Sequence, residues 1–323
     1  MRRREVIAGI SVAGIAGPLR LRAQPTGKPI FGILLVFSRE GGRTFTDPIR
    51  GYLEALGFVD GRNIELDFRH ADGNVDRLAM IATELVARRP AVIATFGDAT
   101  GLAAQKATTS VPIVAMSEDL VRAKLVTNMR HPGANTTGLS VMGTELDAKR
   151  LELLAEMVQS RGTILLLADA TTHRKSRPAL NATAQALGLT LEEATITAPG
   201  DLDRAIREAS ARGMVGVNVL SSAFLFALRA RIVGLTRELR MPAIYQWPEI
   251  ADEGGLMAYG PSLLGAFRQV TTLVAKILKG AKPGELPVEQ PTRFALHLNL
   301  GAAKELGLEV PASLLARVDK AIE

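Results

Sequence analysis

The chain has 323 residues, with 39 Lys+Arg against 33 Asp+Glu for a formal net charge of +6, 47% hydrophobic residues and no cysteine. Without cysteine there can be no disulfide, thiolate metal site, cysteine nucleophile or lipid anchor on an N-terminal cysteine. The excess charge is local: the first 23 residues hold five arginines (2, 3, 4, 20 and 22) and one acid, Glu5, which leaves +2 for residues 24–323. That balance offers no basic surface for nucleic acid, and no block of five or six like charges follows residue 24.

Residues 1–23 have the layout of an export signal. A basic start, Met1-Arg2-Arg3-Arg4, precedes the apolar run 6–17, and Ala23 supplies the small residue near the cleavage point. The apolar centre is too short for a bilayer-spanning helix, which needs about 20 residues. Arg3-Arg4-Glu5-Val6-Ile7 resembles the twin-arginine variety. The expectation is a periplasmic protein beginning at residue 24, too long for one compact core and therefore built of two domains.

From Ile30 onward, short apolar runs rich in β-branched residues alternate with longer segments of helical period. The strands expected are 30–36, 63–69, 91–96, 112–116, 136–141, 163–168, 190–195, 214–219, 242–246 and 255–259. The helices expected are 45–57, 75–88, 99–107, 147–159, 175–187, 201–212, 222–239 and 262–279. Leu78, Ile81, Leu85 and Val86 make one apolar stripe, while Glu84, Arg88 and Arg89 face water. Gly57, Gly188 and Gly280 stand where a left-handed residue ends a helix, and Pro90 blocks continuation.

This order predicts an α/β protein of two doubly wound parallel-sheet lobes joined by a hinge, with a break near 138–144. Lobe one is expected to take 24–142 plus about 260–290, and lobe two 143–259 plus about 291–323. Ligands of open parallel sheets bind beyond the carboxyl ends of strands, so the loops after strands are the place for contacts.

Familiar catalytic patterns are missing from the sequence. The loop after the first strand, Val36 to Gly42, has neither G-x-G-x-x-G spacing nor a Walker lysine and serine. His70, His131, His173 and His297 are scattered without metal-ligand spacing, and no G-x-S-x-G elbow occurs. No cofactor is expected.

Several ordered stretches together resemble the ABC transporter substrate-binding family, whose fold is the type 1 periplasmic binding protein. They are Leu56-Gly57-Phe58-Val59-Asp60-Gly61-Arg62-Asn63-Ile64, Ala71-Asp72-Gly73, Pro112-Ile113-Val114 and the run from His131 to Ser140. To these are added Glu253-Gly254-Gly255-Leu256-Met257-Ala258-Tyr259-Gly260-Pro261, Ile277 to Pro283 and Val288-Glu289-Gln290-Pro291-Thr292. The family includes receptors for tryptophan and tyrosine. Two departures stand out: Asp98 follows Gly97 where the family has threonine, and Glu118 follows Ser117 where an uncharged residue is commoner. Both add carboxylates near the expected ligand.

The resemblance implies a small-molecule solute, an ABC permease with its ATPase as partners, and a monomer that catalyses nothing. An amino acid ligand would need an acid for its ammonium, for which Asp98, Glu118 and Glu249 are candidates. Donors for its carboxylate would come from Ala99, Thr100, Ser221 and Ser222 at helix starts. Tyr245 and Trp247 are the candidate aromatic anchors, Thr171 and Thr172 would add second-lobe hydroxyls, and Ser38, Arg39 and Ser117 would face the cleft from lobe one. Two other functions share this architecture: a nucleotide-sugar enzyme, and a sensor domain that reports ligand to a signalling partner.

Overall fold

The structure, a computed structural model, describes residues 27–169 and 177–323. The predicted export signal and the predicted contacts Thr171 and Thr172 lie outside the described residues. Two sheets organise the chain. The first has the order β2-β1-β3-β4-β5, all parallel: β1 (Ile30–Leu35), β2 (Glu65–His70), β3 (Val92–Phe96), β4 (Ile113–Ser117) and β5 (Thr136–Ser140). β3, β4 and β5 are buried at every position, as expected of parallel strands covered on both faces.

The second sheet has seven strands in the order β12-β11-β10-β9-β8-β6-β7. They are β6 (Thr163–Asp169), β7 (Thr190–Ile196), β8 (Gly216–Val219), β9 (Ala243–Tyr245), β10 (Met257–Gly260), β11 (Ala295–Asn299) and β12 (Lys320–Ile322). β10 and β11 pair antiparallel and the other neighbours parallel. The edge strand β7 carries Glu192 and Glu193, charges of the kind that discourage pairing with another chain.

Helices cover both sheets. α1 (Arg39–Ala55), α2 (Leu78–Ala87) and α3 (Asp98–Ala107) serve the first, and α10 (Leu263–Leu278), far away in sequence, packs against β3, β4, β5 and α1. α4 (Gly143–Val158) packs on β8, β9 and β10, beside α5 (Arg177–Leu187), and α6 (Pro199–Ala211) lies against β7 and α8 (Arg229–Glu238). The chain therefore passes between the sheets from β5 to α4, from β10 to α10, and again before β11. One continuous apolar cluster runs from the first sheet through the junction into the α6–α8 face of the second. A second cluster fills the opposite face of sheet two, under α4 and α5.

Three local departures from the sequence expectations have physical causes. α1 begins at Arg39 instead of 45, because Ser38 caps it by accepting the Gly41 amide (3.2 Å) and outweighs the glycine pair that argued for a loop. The helix expected over 222–239 is broken at Leu228 into α7 (Ala223–Ala227) and α8. There Arg229 donates to the carbonyl of Phe226 (3.3 Å), satisfying an acceptor near the break. β11, β12 and the short helices α9 (Glu249–Asp252), α11 (Leu300–Leu306) and α12 (Ala312–Leu315) were not expected. β11 alternates in burial, since one face meets the core and the other does not.

Candidate functional site between the two sheets

The strand order of each sheet reverses once, between β1 and β3 in the first and between β6 and β8 in the second. The loops leaving those strands are where a doubly wound sheet holds its ligand. A narrow cleft opens there, with about 660 Å³ of space between atoms, mouth included. The first-sheet side supplies Val36, Phe37, Phe96, Asp98, Glu118 and Phe267, and the second supplies Phe224, Phe226, Gln246 and Trp247.

Aromatic rings make most of the wall. Phe96 and Phe267 stack at 4.5 Å with 17° between planes. Phe226 meets Phe37 edge-on at 6.4 Å and Trp247 edge-on at 6.5 Å, which places one ring of α7 against rings from both sides of the junction. The Arg229 guanidinium lies 4.5 Å from the Phe226 ring centre and is held by Glu253 at 2.7 Å, so it steadies the wall from behind.

Two carboxyls interrupt this surface. Asp98 opens α3 after Gly97, whose φ of 103° only glycine adopts freely and whose Cβ, if present, would meet the Ala223 Cβ at 2.7 Å. The Ser117 hydroxyl donates to Asp98 at 2.5 Å. Glu118 follows β4 and is partly buried as a residue, but its Oε2 is closed off from solvent and has no hydrogen-bond partner. Burial pushes its carboxyl up to about 8; nearby Asp98 and Asp147 add to the rise, while the Ser221 hydroxyl and Arg150 oppose it.

Beneath Glu118 lies a charged junction. Arg150 on α4 is fully buried and pairs with Asp147, also buried. Its guanidinium donates to the carbonyls of Gly143 (2.6 Å) and Tyr259 (3.1 Å), tying together the first two crossings between sheets.

Of the residues singled out in the sequence, the cleft brings together Asp98, Ala99, Ser117, Glu118 and Trp247. Ser221 is buried, and its hydroxyl lies beside the Glu118 carboxyl over Gly143. Others are placed elsewhere. Ser38 is spent on capping α1. The Thr100 hydroxyl donates to the Gly97 carbonyl (2.8 Å) inside the turn. Ser222 caps α7 through the Leu225 amide (3.1 Å) and exchanges backbone hydrogen bonds with the Gln246 side chain at 2.7 and 3.1 Å.

Glu249 accepts from the Ser262 hydroxyl and the Leu263 amide, both at 2.9 Å, and so caps α10 instead of lining the cleft. Tyr245 points into the core, its hydroxyl 3.0 Å from Thr236, because it is still within β9, and only Gln246 and Trp247, beyond the strand end, line the cleft. Sequence reasoning missed Phe37, Phe96, Phe226, Phe267 and Gln246. Phe37 and Phe96 sit at or just beyond strand ends, where the carboxyl-end rule could have found them. Nothing in the spacing marks Phe226 or Phe267, which reach the cleft from helices distant in sequence.

The family model described as "ABC transporter substrate binding protein" matches residues 32–322. The chain belongs to that family. Among relatives, it is 23% identical over 266 residues to the tyrosine-binding protein of Clostridioides difficile (strain R20291), covering 80% of this chain and 76% of the relative. A Vibrio cholerae structure described as a conserved domain protein shares the fold at a TM-score of 0.82 and 24% identity, covering 91% of this chain and all of that one. A structure from Streptococcus pneumonia, an ABC domain in complex with L-Trp, superposes at 0.80 with 20% identity, covering 92% of this chain and all of the other. The two-lobed arrangement of the family member is that of a type 1 periplasmic binding protein.

Proposed function

We propose that this protein is the extracytoplasmic solute receptor of an ABC importer, which closes its two lobes around a small molecule with an aromatic or apolar body. The captured solute passes unchanged to a membrane permease and its ATPase. The observation that carries this reading is the cleft itself: aromatic rings from both sheets face one another across the strand-order reversals, with few polar groups among them. A ligand there is buried by contacts from both sides, so its binding free energy favours the closed arrangement. The tyrosine-binding relative and the L-Trp complex support an amino acid or aromatic compound as ligand.

Among the described residues, no helix is long and apolar enough to cross a membrane. The basic and apolar start of the sequence supports export to the periplasm. A thermal-shift screen against amino acids, aromatic acids and amines, sugars and nucleotides tests the reading. A ligand at 100 times its dissociation constant stabilises the folded form by about 2.7 kcal/mol. Loss of solute uptake on deleting the gene would separate transport from sensing. Turnover of a nucleotide sugar would overturn the reading in favour of an enzyme.

A further inference from the structure

The cleft combines a ring-lined wall with a carboxyl that has an unused acceptor. Glu118 Oε2 is shut off from water and unpartnered, and Glu118 is one of the few polar residues lining the cleft. Asp98 lies close enough to raise the Glu118 carboxyl further. Among the described residues lining the cleft there is no lysine, arginine or histidine. A ligand carboxylate would meet no cation among these residues, while an ammonium would meet in Glu118 the acceptor it needs.

We propose that the cleft takes an aromatic amine in its cationic form, the ammonium on Glu118 and the ring between Phe37, Phe96, Phe226 and Trp247, and that capture needs no ligand carboxylate. This rests on the receptor reading above and names the class of solute for that same site. Gly143 permits the arrangement, because any side chain there would overlap the Glu118 carboxyl and the Ser221 hydroxyl. Binding then moves a proton. The Glu118 carboxyl is held neutral at pH 7 by burial and by Asp98 and Asp147, against the pull of Ser221 and Arg150. Pairing with an ammonium favours its charged form, so its proton leaves to solvent as the amine enters.

The test is calorimetric titration of the purified protein with phenethylamine, 3-phenylpropionate and phenylalanine, which share a ring and differ in charge. Phenethylamine is expected to bind at least ten-fold more tightly than 3-phenylpropionate and to stay within ten-fold of phenylalanine. A smaller preference over the acid, or a phenylalanine affinity more than ten-fold above that of the amine, overturns the inference. Binding by a sugar alone overturns it and leaves the receptor reading standing. Failure of every compound in the wider screen overturns both.

Glu118→Gln, checked for native circular dichroism, should lower phenethylamine affinity at least ten-fold without lowering that for 3-phenylpropionate. A second measurement needs no variant. At pH 7, in two buffers of different ionisation enthalpy, amine capture should release a measurable fraction of a proton, and tight binding without release removes Glu118 as the partner.

Discussion

The Glu118 carboxyl rests against the backbone of Gly143, where the chain leaves the first sheet for the second, and no Cβ fits between them. The acid that follows β4 and the glycine that starts α4 thus form one unit of the junction. Gly143→Ala should force them apart at a cost of about 1–3 kcal/mol, the usual range for overpacking. Urea denaturation measures it. Gly51→Ala is the control: space around Gly51 in α1 is open, and replacing a helical glycine should stabilise by up to about 1 kcal/mol.

The same carboxyl makes stability depend on pH. In the unfolded chain it titrates near its ordinary value of 4.5, and in the folded protein near 8. Between those values the folded state holds a proton that the unfolded state has lost. This contribution is therefore fully present below 4.5 and is lost as pH rises towards and through 8. Glu118→Gln cannot lose it. Parent and variant melted at pH 5 and pH 8.5 should diverge, the parent losing more by about 2 kcal/mol or more, since one unit is worth about 1.4 kcal/mol. Parallel melting curves would remove this account.

Arg150 and Asp147 form a buried pair in which each charge depends on the other. Arg150→Met should cost about 3–5 kcal/mol, because Asp147 is left buried near Glu118 without its guanidinium and the Gly143 and Tyr259 carbonyls lose their donor. Adding Asp147→Asn should recover part of the loss. A double-mutant cycle by chemical denaturation reads that recovery, and strict additivity would contradict the coupling.

Tyr245 and Trp247, two residues apart, should separate structure from binding. Tyr245→Phe removes a buried hydroxyl bonded to Thr236 and should cost about 1 kcal/mol while leaving ligand affinity unchanged. Trp247→Ala removes a cleft wall and an edge contact with Phe226, and should weaken ligand binding by ten-fold or more. Equal effects of both on affinity, measured by thermal shift, would contradict this division.

Asp98, Ser117, Glu118 and Trp247 were placed near the cleft from sequence because each stands at the end of a strand or just beyond it, and a doubly wound sheet turns strand ends towards its ligand. The strand-helix alternation, the two-sheet division and the family resemblance depend on local periodicity and ordered motifs, which the linear chain carries in full. The tertiary structure decided what direction and long-range packing control. It sent Tyr245 into the core, because β9 runs through that residue and its hydroxyl meets Thr236 of α8, while Trp247 lies past the strand end. It spent Glu249, Ser38 and Ser222 on helix caps, because free amides at helix starts compete for nearby oxygens. It also gathered Phe37, Phe96, Phe226 and Phe267 into one wall, since the chain crosses between the sheets three times and no sequence spacing records which distant rings those crossings bring together.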